Sequence, residues 1–203
     1  MRIMHRLMES KTTEPTPGKP CVFFDRDGIA NVPPTTRYVE KAENFHLYPE
    51  FLQALQVVHA KGFVAIMITN QKGISTGHTP QEELDAMHAR LRHEAELVGA
   101  PVLDIYVCSE PDDRHPDRKP NPGMLLRAAA DHQVDLSRSW MVGDHGTDIA
   151  AGQRAGCHKT VYVGTKAIEE HPDYRVDHVA DLAPLFTNHL PDWSATEART
   201  CAE

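Results

Sequence analysis

Short apolar runs that end in turns rich in Asp, Asn and Gly alternate along this chain with stretches of helical period. Residues 21–24, 63–69, 102–108, 139–143 and 158–163 read as five strands, because apolar runs of this length bounded by turn residues fit strands buried on both faces. Between them the period changes. Pro49 opens a helix through Phe51, Leu52, Leu55 and Val58 that Gly62 is placed to close. Thr79, Pro80 and Glu82 form a capping pattern with proline at the first helical position, ahead of Leu84, Met87, Leu91, Ala95 and Val98, and that helix ends near Gly99. Asn121 and Pro122 start a further helix, and residues 147–155 form a short one closed by Gly156.

Alternating strands and helices predict an α/β, Rossmann-like three-layer fold around a central parallel sheet, since parallel strands need long, right-handed crossovers. Pro33, Pro34 and Pro49 turn residues 31–48 into a loop or flap. Residues 1–19 lack a sustained period and read as a flexible arm, residues 20–187 as the domain, and residues 188–203 as a weakly ordered tail.

Composition narrows the class of function. At 203 residues, 40% hydrophobic and 25% charged, the chain has the length for one ordinary soluble domain, and so for one active site. A net charge of -8 offers no global positive field for nucleic acid or anionic lipid, so neither partner is expected. The apolar run 63–69 is too short for a bilayer, and no apolar stretch follows the basic residues at the start as a secretion signal would require. Cys21, Cys108, Cys157 and Cys201 show no paired spacing, which fits a reducing, cytoplasmic setting.

In an open parallel sheet, ligands bind beyond the carboxyl ends of the strands. The segments there are Asp25-Arg26-Asp27-Gly28, Thr69-Asn70-Gln71-Lys72-Gly73 and Gly143-Asp144-His145-Gly146-Thr147-Asp148. Asp25 and Asp27 can reach a common point if Gly28 turns the chain, and Asp144 adds a third carboxylate from a separate turn. Clustered carboxylates repel unless a cation sits among them, and an oxygen-rich set suits magnesium. Lys119 offers a further cation for carboxylates and a substrate phosphate. Thr69 and Asn70 offer donors for phosphate oxygens.

Taken in order, these segments resemble the four motifs of the haloacid dehalogenase superfamily of phosphatases, over most of residues 21–163. Phe24-Asp25-Arg26-Asp27-Gly28 with Asn31, Thr69-Asn70-Gln71 with Gly73, Arg118-Lys119-Pro120 with Pro122-Gly123, and Val142-Gly143-Asp144 with Asp148 resemble its heptose bisphosphate and histidinol phosphate branch. The resemblance implies Asp25 as nucleophile, forming an aspartyl-phosphate, and Asp27 as the acid and base of the two half-reactions. It implies magnesium on the Asp25 and Asp144 carboxylates and the Asp27 main-chain carbonyl, with Asp148 in support. It also places Thr69, Asn70 and Lys119 on the phosphoryl oxygens. Acting as an acid near neutrality would need Asp27 raised by roughly 3 units, a push expected from the negative charge of Asp25, Asp144 and the substrate.

The interval from Gly28 to Thr69 holds only the flap and one helix, so the fold is expected to lack a cap domain and the site to be open. Selectivity then falls to the flap and to the loop 109–118, with Arg118 in the substrate-binding set. Many members of the branch carry a zinc loop of three cysteines and one histidine before Arg-Lys-Pro. Here Cys108 is followed by Glu110, His115 and Asp117, and structural zinc sites favour thiolates, so a loop held by hydrogen bonds and ion pairs is preferred over a zinc site. His145 stands where heptose-specific relatives commonly have lysine, and Ile29-Ala30 replaces a small hydroxyl-bearing residue. The expected substrate is a small phosphorylated metabolite, with heptose bisphosphate first and histidinol phosphate second. A catalytically silent phosphate-binding protein is the alternative from another class, and a nucleic-acid end phosphatase is disfavoured by the acidic charge and the lack of an aromatic stacking run.

Overall fold

The run Cys-Val-Phe-Phe forms strand β1 (Cys21–Phe24), buried along its whole length. In this computed structural model, which describes residues 18–33 and 38–194, β1 is followed by helix α1 (Pro49–Ala60), β2 (Val64–Asn70), the short helix α2 (Lys72–Ser75), α3 (Gln81–Leu97) and β3 (Asp104–Cys108). Helix α4 (Gly123–His132), β4 (Trp140–Gly143), α5 (Gly146–Ala155), β5 (Lys159–Val163), β6 (Tyr174–Val176) and α6 (Leu182–His189) complete the order. All six strands are parallel, in the order β3-β2-β1-β4-β5-β6.

Alternation along each strand splits the apolar residues between two cores. Val22, Phe24, Ala65, Met67, Trp140 and Val142 face one side, where α1, α3 and α6 bring Phe51, Leu55, Met87, Leu91, Leu182 and Phe186. Cys21, Phe23, Ile66, Ile68 and Met141 face the other, against Met124, Leu125 and Ala128 of α4 and Ala151 of α5. Each fully buried side chain of this size contributes about 1.5–3 kcal/mol. Two-sided burial is why these strands read as continuous apolar runs.

The five expected strands and four expected helices are present, with bounds shifted by one or two residues. Gly62 follows α1 in the left-handed region at φ +78°, as a closing glycine requires. The cap expected from Thr79 is corrected: Pro80 stands before α3 without a side-chain cap, and Thr79 Oγ1 donates instead to the Val39 carbonyl at 3.3 Å, tying the flap to this corner. A sixth strand, β6, and the helix α6 were not expected. β6 is an edge strand of three residues, held by the stacking of Tyr174 on Trp140 at 5.2 Å between ring centroids.

The expected boundary at residue 187 is also corrected, since it falls inside α6. Leu190 is buried, Trp193 N–H donates to the Lys61 carbonyl at 2.9 Å, and the Arg138 guanidinium lies 3.8 Å above the Trp193 ring. Residues 195–203, and residues 1–17 of the expected arm, lie outside the described residues; Lys19 already pairs with Val134 beside α4. Among the described residues, no helix is long and apolar enough to cross a membrane. The interval between Gly28 and β2 holds, among the described residues, a 3-10 turn (Ala42–Asn44) and α1, and no cap domain. Its base is pinned by Val32 N–H to the His46 carbonyl and Tyr48 N–H to the Ala30 carbonyl, both at 2.9 Å.

Candidate active site

From β1 the chain runs outward through β2 to β3 on one side, and from β4 through β5 to β6 on the other. The strand order therefore reverses between β1 and β4, and the crevice at their carboxyl ends is where this sheet type binds ligands. Asp25 follows β1 there and Asp144 follows β4, the two turns being tied by Asp25 N–H to the Val142 carbonyl at 2.9 Å. A cavity of about 210 Å³ opens at this point, lined by Asp25, Asp27, Thr69, Asn70, Lys119, His145, Thr147 and Asp148.

Lys119 organises its floor. The ammonium is buried and donates to Asp25 Oδ1 at 2.6 Å and to the Ile68 carbonyl at 2.8 Å, and it pairs with Asp148 Oδ1 at 2.7 Å. Burial alone would lower its proton affinity, but Asp148 and Asp25 more than reverse this and hold it charged. Burial pushes the Asp25 carboxyl up to about 6, against the pull of Lys119, with Asp148 and Asp27 adding to the rise. Asp148 Oδ2 accepts the His145 N–H at 3.0 Å, so one carboxylate both serves the start of α5 and balances Lys119.

Gly28 makes the turn after Asp27 at φ +87°, and a Cβ there would run into the Asp144 carboxylate. Only glycine allows Asp144 to lie directly against the Asp27–Gly28 turn. Asp144 Oδ1 meets His145 Nδ1 at 2.7 Å, and this hydrogen bond raises the exposed imidazole to about 9, making it a cation at neutral pH. Among the described residues, ligand atoms of Asp144, His145 and Asp148 lie within 4.8 Å of one another. The carboxylates of Asp144 and Asp148, together with Asp25 and Asp27, are a hard, oxygen-rich set, which fits a magnesium ion.

A family model described as HAD-hydrolase-like matches residues 117–183. A D-glycero-D-manno-heptose-1,7-bisphosphate 7-phosphatase from Thermosynechococcus vestitus is 33% identical over 195 residues, covering 85% of this chain and 97% of that protein. The chain belongs to the haloacid dehalogenase superfamily of phosphatases. A D-glycero-beta-D-manno-heptose-1,7-bisphosphate 7-phosphatase from Mesorhizobium japonicum is 35% identical over 179 residues, covering 83% of this chain and 80% of that protein. Among solved structures, D,D-heptose 1,7-bisphosphate phosphatase from B. bronchiseptica, complexed with magnesium and phosphate, superposes with a TM-score of 0.75 at 26% identity over 83% of this chain and 98% of that one.

Not every expected residue faces the cavity of this haloacid dehalogenase phosphatase. Arg118 is not among the lining residues: its Nε donates to Asp113 Oδ1 at 2.8 Å and its Nη1 to the Glu110 carbonyl at 3.2 Å. In the loop before it, Cys108 Sγ lies 3.9 Å from His115 Nδ1, which accepts the Asp117 N–H at 3.2 Å, and the Asp117 carboxylate pairs with Arg127 of α4. Glu110 offers the loop its carbonyl.

The expected elevation of Asp27 is corrected. Burial would raise this carboxyl, but the Arg26 charge, and hydrogen bonds from Gln71, Asn31 and Arg26, outweigh it and hold Asp27 below its ordinary value. Sequence reasoning missed Gln71, which donates from Nε2 to both Asp27 Oδ2 and Thr69 Oγ1 at 2.9 Å, although it stands inside the quoted motif. It also missed the wall residue Thr147, whereas His145, singled out beside Asp144, does line the cavity. His88, 62 positions away and 3.5 Å from Arg26, left no signal in the spacing.

Proposed function

We propose that this phosphatase removes phosphate from a small phosphorylated sugar with the help of magnesium, and that D-glycero-D-manno-heptose 1,7-bisphosphate is its substrate. The observation that carries the reading is the convergence of Asp25, Asp27, Thr69 and Lys119 on one cavity at the strand-order reversal. The named activity of its relatives supports the choice of sugar.

In this reading one Asp25 oxygen is engaged by Lys119 and the other attacks phosphorus. The P–O bond to the sugar breaks, the leaving oxygen takes a proton from Asp27, and an aspartyl-phosphate remains on Asp25. Water then attacks that phosphorus, Asp27 takes its proton, and the electron pair of the breaking P–O bond returns to Asp25. Thr69 and Lys119 hold phosphoryl oxygens, and the side chain of Asn70 serves by fixing Lys119. Magnesium, held by the Asp25 and Asp144 carboxylates and the Asp27 carbonyl with Asp148 in support, would offset the repulsion between a carboxylate nucleophile and a phosphate dianion. The loop 108–117 is read as held by its own protein contacts rather than by zinc.

The test is release of inorganic phosphate from the heptose bisphosphate and from histidinol phosphate by purified protein with magnesium. Turnover of the sugar, abolished in Asp25→Asn, is expected, and beryllium fluoride should be trapped on Asp25. Turnover of histidinol phosphate alone would overturn the substrate, and full activity in Asp25→Asn would overturn the mechanism.

A further inference from the structure

Asp27 is enclosed by donors on its protein side. Its Oδ1 accepts from Arg26 Nε at 3.2 Å, Arg26 Nη2 at 2.9 Å and Asn31 Nδ2 at 3.0 Å, while Oδ2 accepts from Arg26 Nη2 at 2.8 Å and Gln71 Nε2 at 2.9 Å. Arg26 is the unusual member. It is only 1% exposed, its guanidinium lies over the Phe45 ring at 5.5 Å, and its Nη1 is 3.5 Å from His88 Nε2 on α3. Burying a guanidinium sacrifices its hydration, and Asp27 is its ion-pair partner among the described residues.

A carboxylate whose protein-facing lone pairs all meet N–H groups has its orientation fixed, and only its open side is left to face the cavity. We infer that Arg26, braced by His88 and Phe45, is a positioning residue that fixes the orientation of the Asp27 side chain for the second half-reaction, hydrolysis of the aspartyl-phosphate. This rests on the roles of Asp25 and Asp27 proposed above. In that step water forms a bond to phosphorus and gives its proton to Asp27. The phosphorus–Asp25 bond breaks with its electron pair returning to Asp25, and hydrogen phosphate leaves. His88 serves as the brace because it stays neutral: burial, then the charges of Arg26 and Arg92, lower its imidazole to about 4, leaving a ring nitrogen free to face the guanidinium.

The test uses p-nitrophenyl phosphate, whose leaving group departs as an anion and needs no proton from Asp27. In a two-step reaction kcat/KM reports formation of the phosphoenzyme, whereas kcat reports the slower step. Arg26→Met should lower kcat and KM together, by about 10- to 100-fold, with kcat/KM nearly unchanged. Phosphate should accumulate on Asp25 in acid-quenched protein. Arg26→Lys, which keeps charge but loses the fork, should fall between it and the wild type. His88→Leu should shift kcat and KM in the same direction by a few-fold and decides the matter if Arg26→Met does not fold. Asp27→Asn is the control: if it does not lower kcat and KM together, the role of Asp27 as base fails and the inference with it. If Asp27→Asn behaves so while the Arg26 and His88 variants lower kcat and kcat/KM equally at constant KM, or change neither, their role is merely structural and the inference alone is overturned.

Discussion

Asn70 grips the backbone of Lys119 with both ends of its carboxamide: Nδ2 donates to the Lys119 carbonyl and Oδ1 accepts the Lys119 N–H, each at 3.1 Å. A residue at the end of β2 thereby sets the place of an ammonium 49 positions later in the chain. Asn70→Ala should cost about 1–3 kcal/mol in denaturant unfolding, because both Lys119 backbone groups lose their partners. It should also lower kcat/KM by letting the ammonium drift from Asp25. Asn70→Asp, which cannot donate, should not restore either property, and full activity in Asn70→Ala would separate this lock from catalysis.

Lys119 is the counter-charge for two buried carboxylates, Asp25 and Asp148. Lys119→Met should therefore destabilise the fold by about 3–5 kcal/mol, since it leaves both anions buried without their partner. The double variant Lys119→Met with Asp148→Asn should recover part of that loss in urea melts, without recovering activity. A single variant as stable as the wild type would show that the carboxylates are solvated in some other way.

His88 should make the fold acid-sensitive. Burial and the charges of Arg26 and Arg92 hold its folded-state value at about 4 against an ordinary 6.5, so between these values the unfolded chain binds more protons and stability falls as pH drops. The full loss is roughly 3 kcal/mol, at 1.36 kcal/mol per unit. Asp25 acts in the opposite sense: raised from 3.8 to about 6, it protonates first in the folded state and adds stability as pH falls through that range. The comparison of wild type with His88→Leu at pH 7 and pH 4.5 isolates the histidine. The gap between the two proteins should move in favour of the variant at the lower pH.

Chelation should abolish phosphate release, and magnesium should restore it. Independently of turnover, magnesium should raise the melting temperature of the wild type, by an amount equivalent to about 2.7 kcal/mol at one hundred times its Kd. Asp144→Asn should lose most of that rise, because this carboxylate lies against the turn after Asp27. An equal rise in Asp144→Asn would place the ion elsewhere.

The sequence by itself determined the layered α/β architecture, because strands buried on two faces must be apolar throughout and the helices between them must carry a stripe. It also determined which residues stand at the carboxyl ends of the strands: Asp25, Asp27, Thr69 and Asp144 were legible as an ordered set, since those positions do not depend on side-chain direction. What the side chains do there was decided by the tertiary structure. Arg118 turned to Asp113, Asn70 turned to the Lys119 backbone, and Asp27 met an arginine that depresses its proton affinity instead of the negative charge expected to raise it. β6 likewise rests on the stacking of Tyr174 on Trp140, a residue 34 positions earlier in the chain. The physical reason is common to all of these. Hydrogen bonds and ion pairs act over about 3 Å between groups far apart in the chain, and local pattern carries no information on which distant partner arrives first.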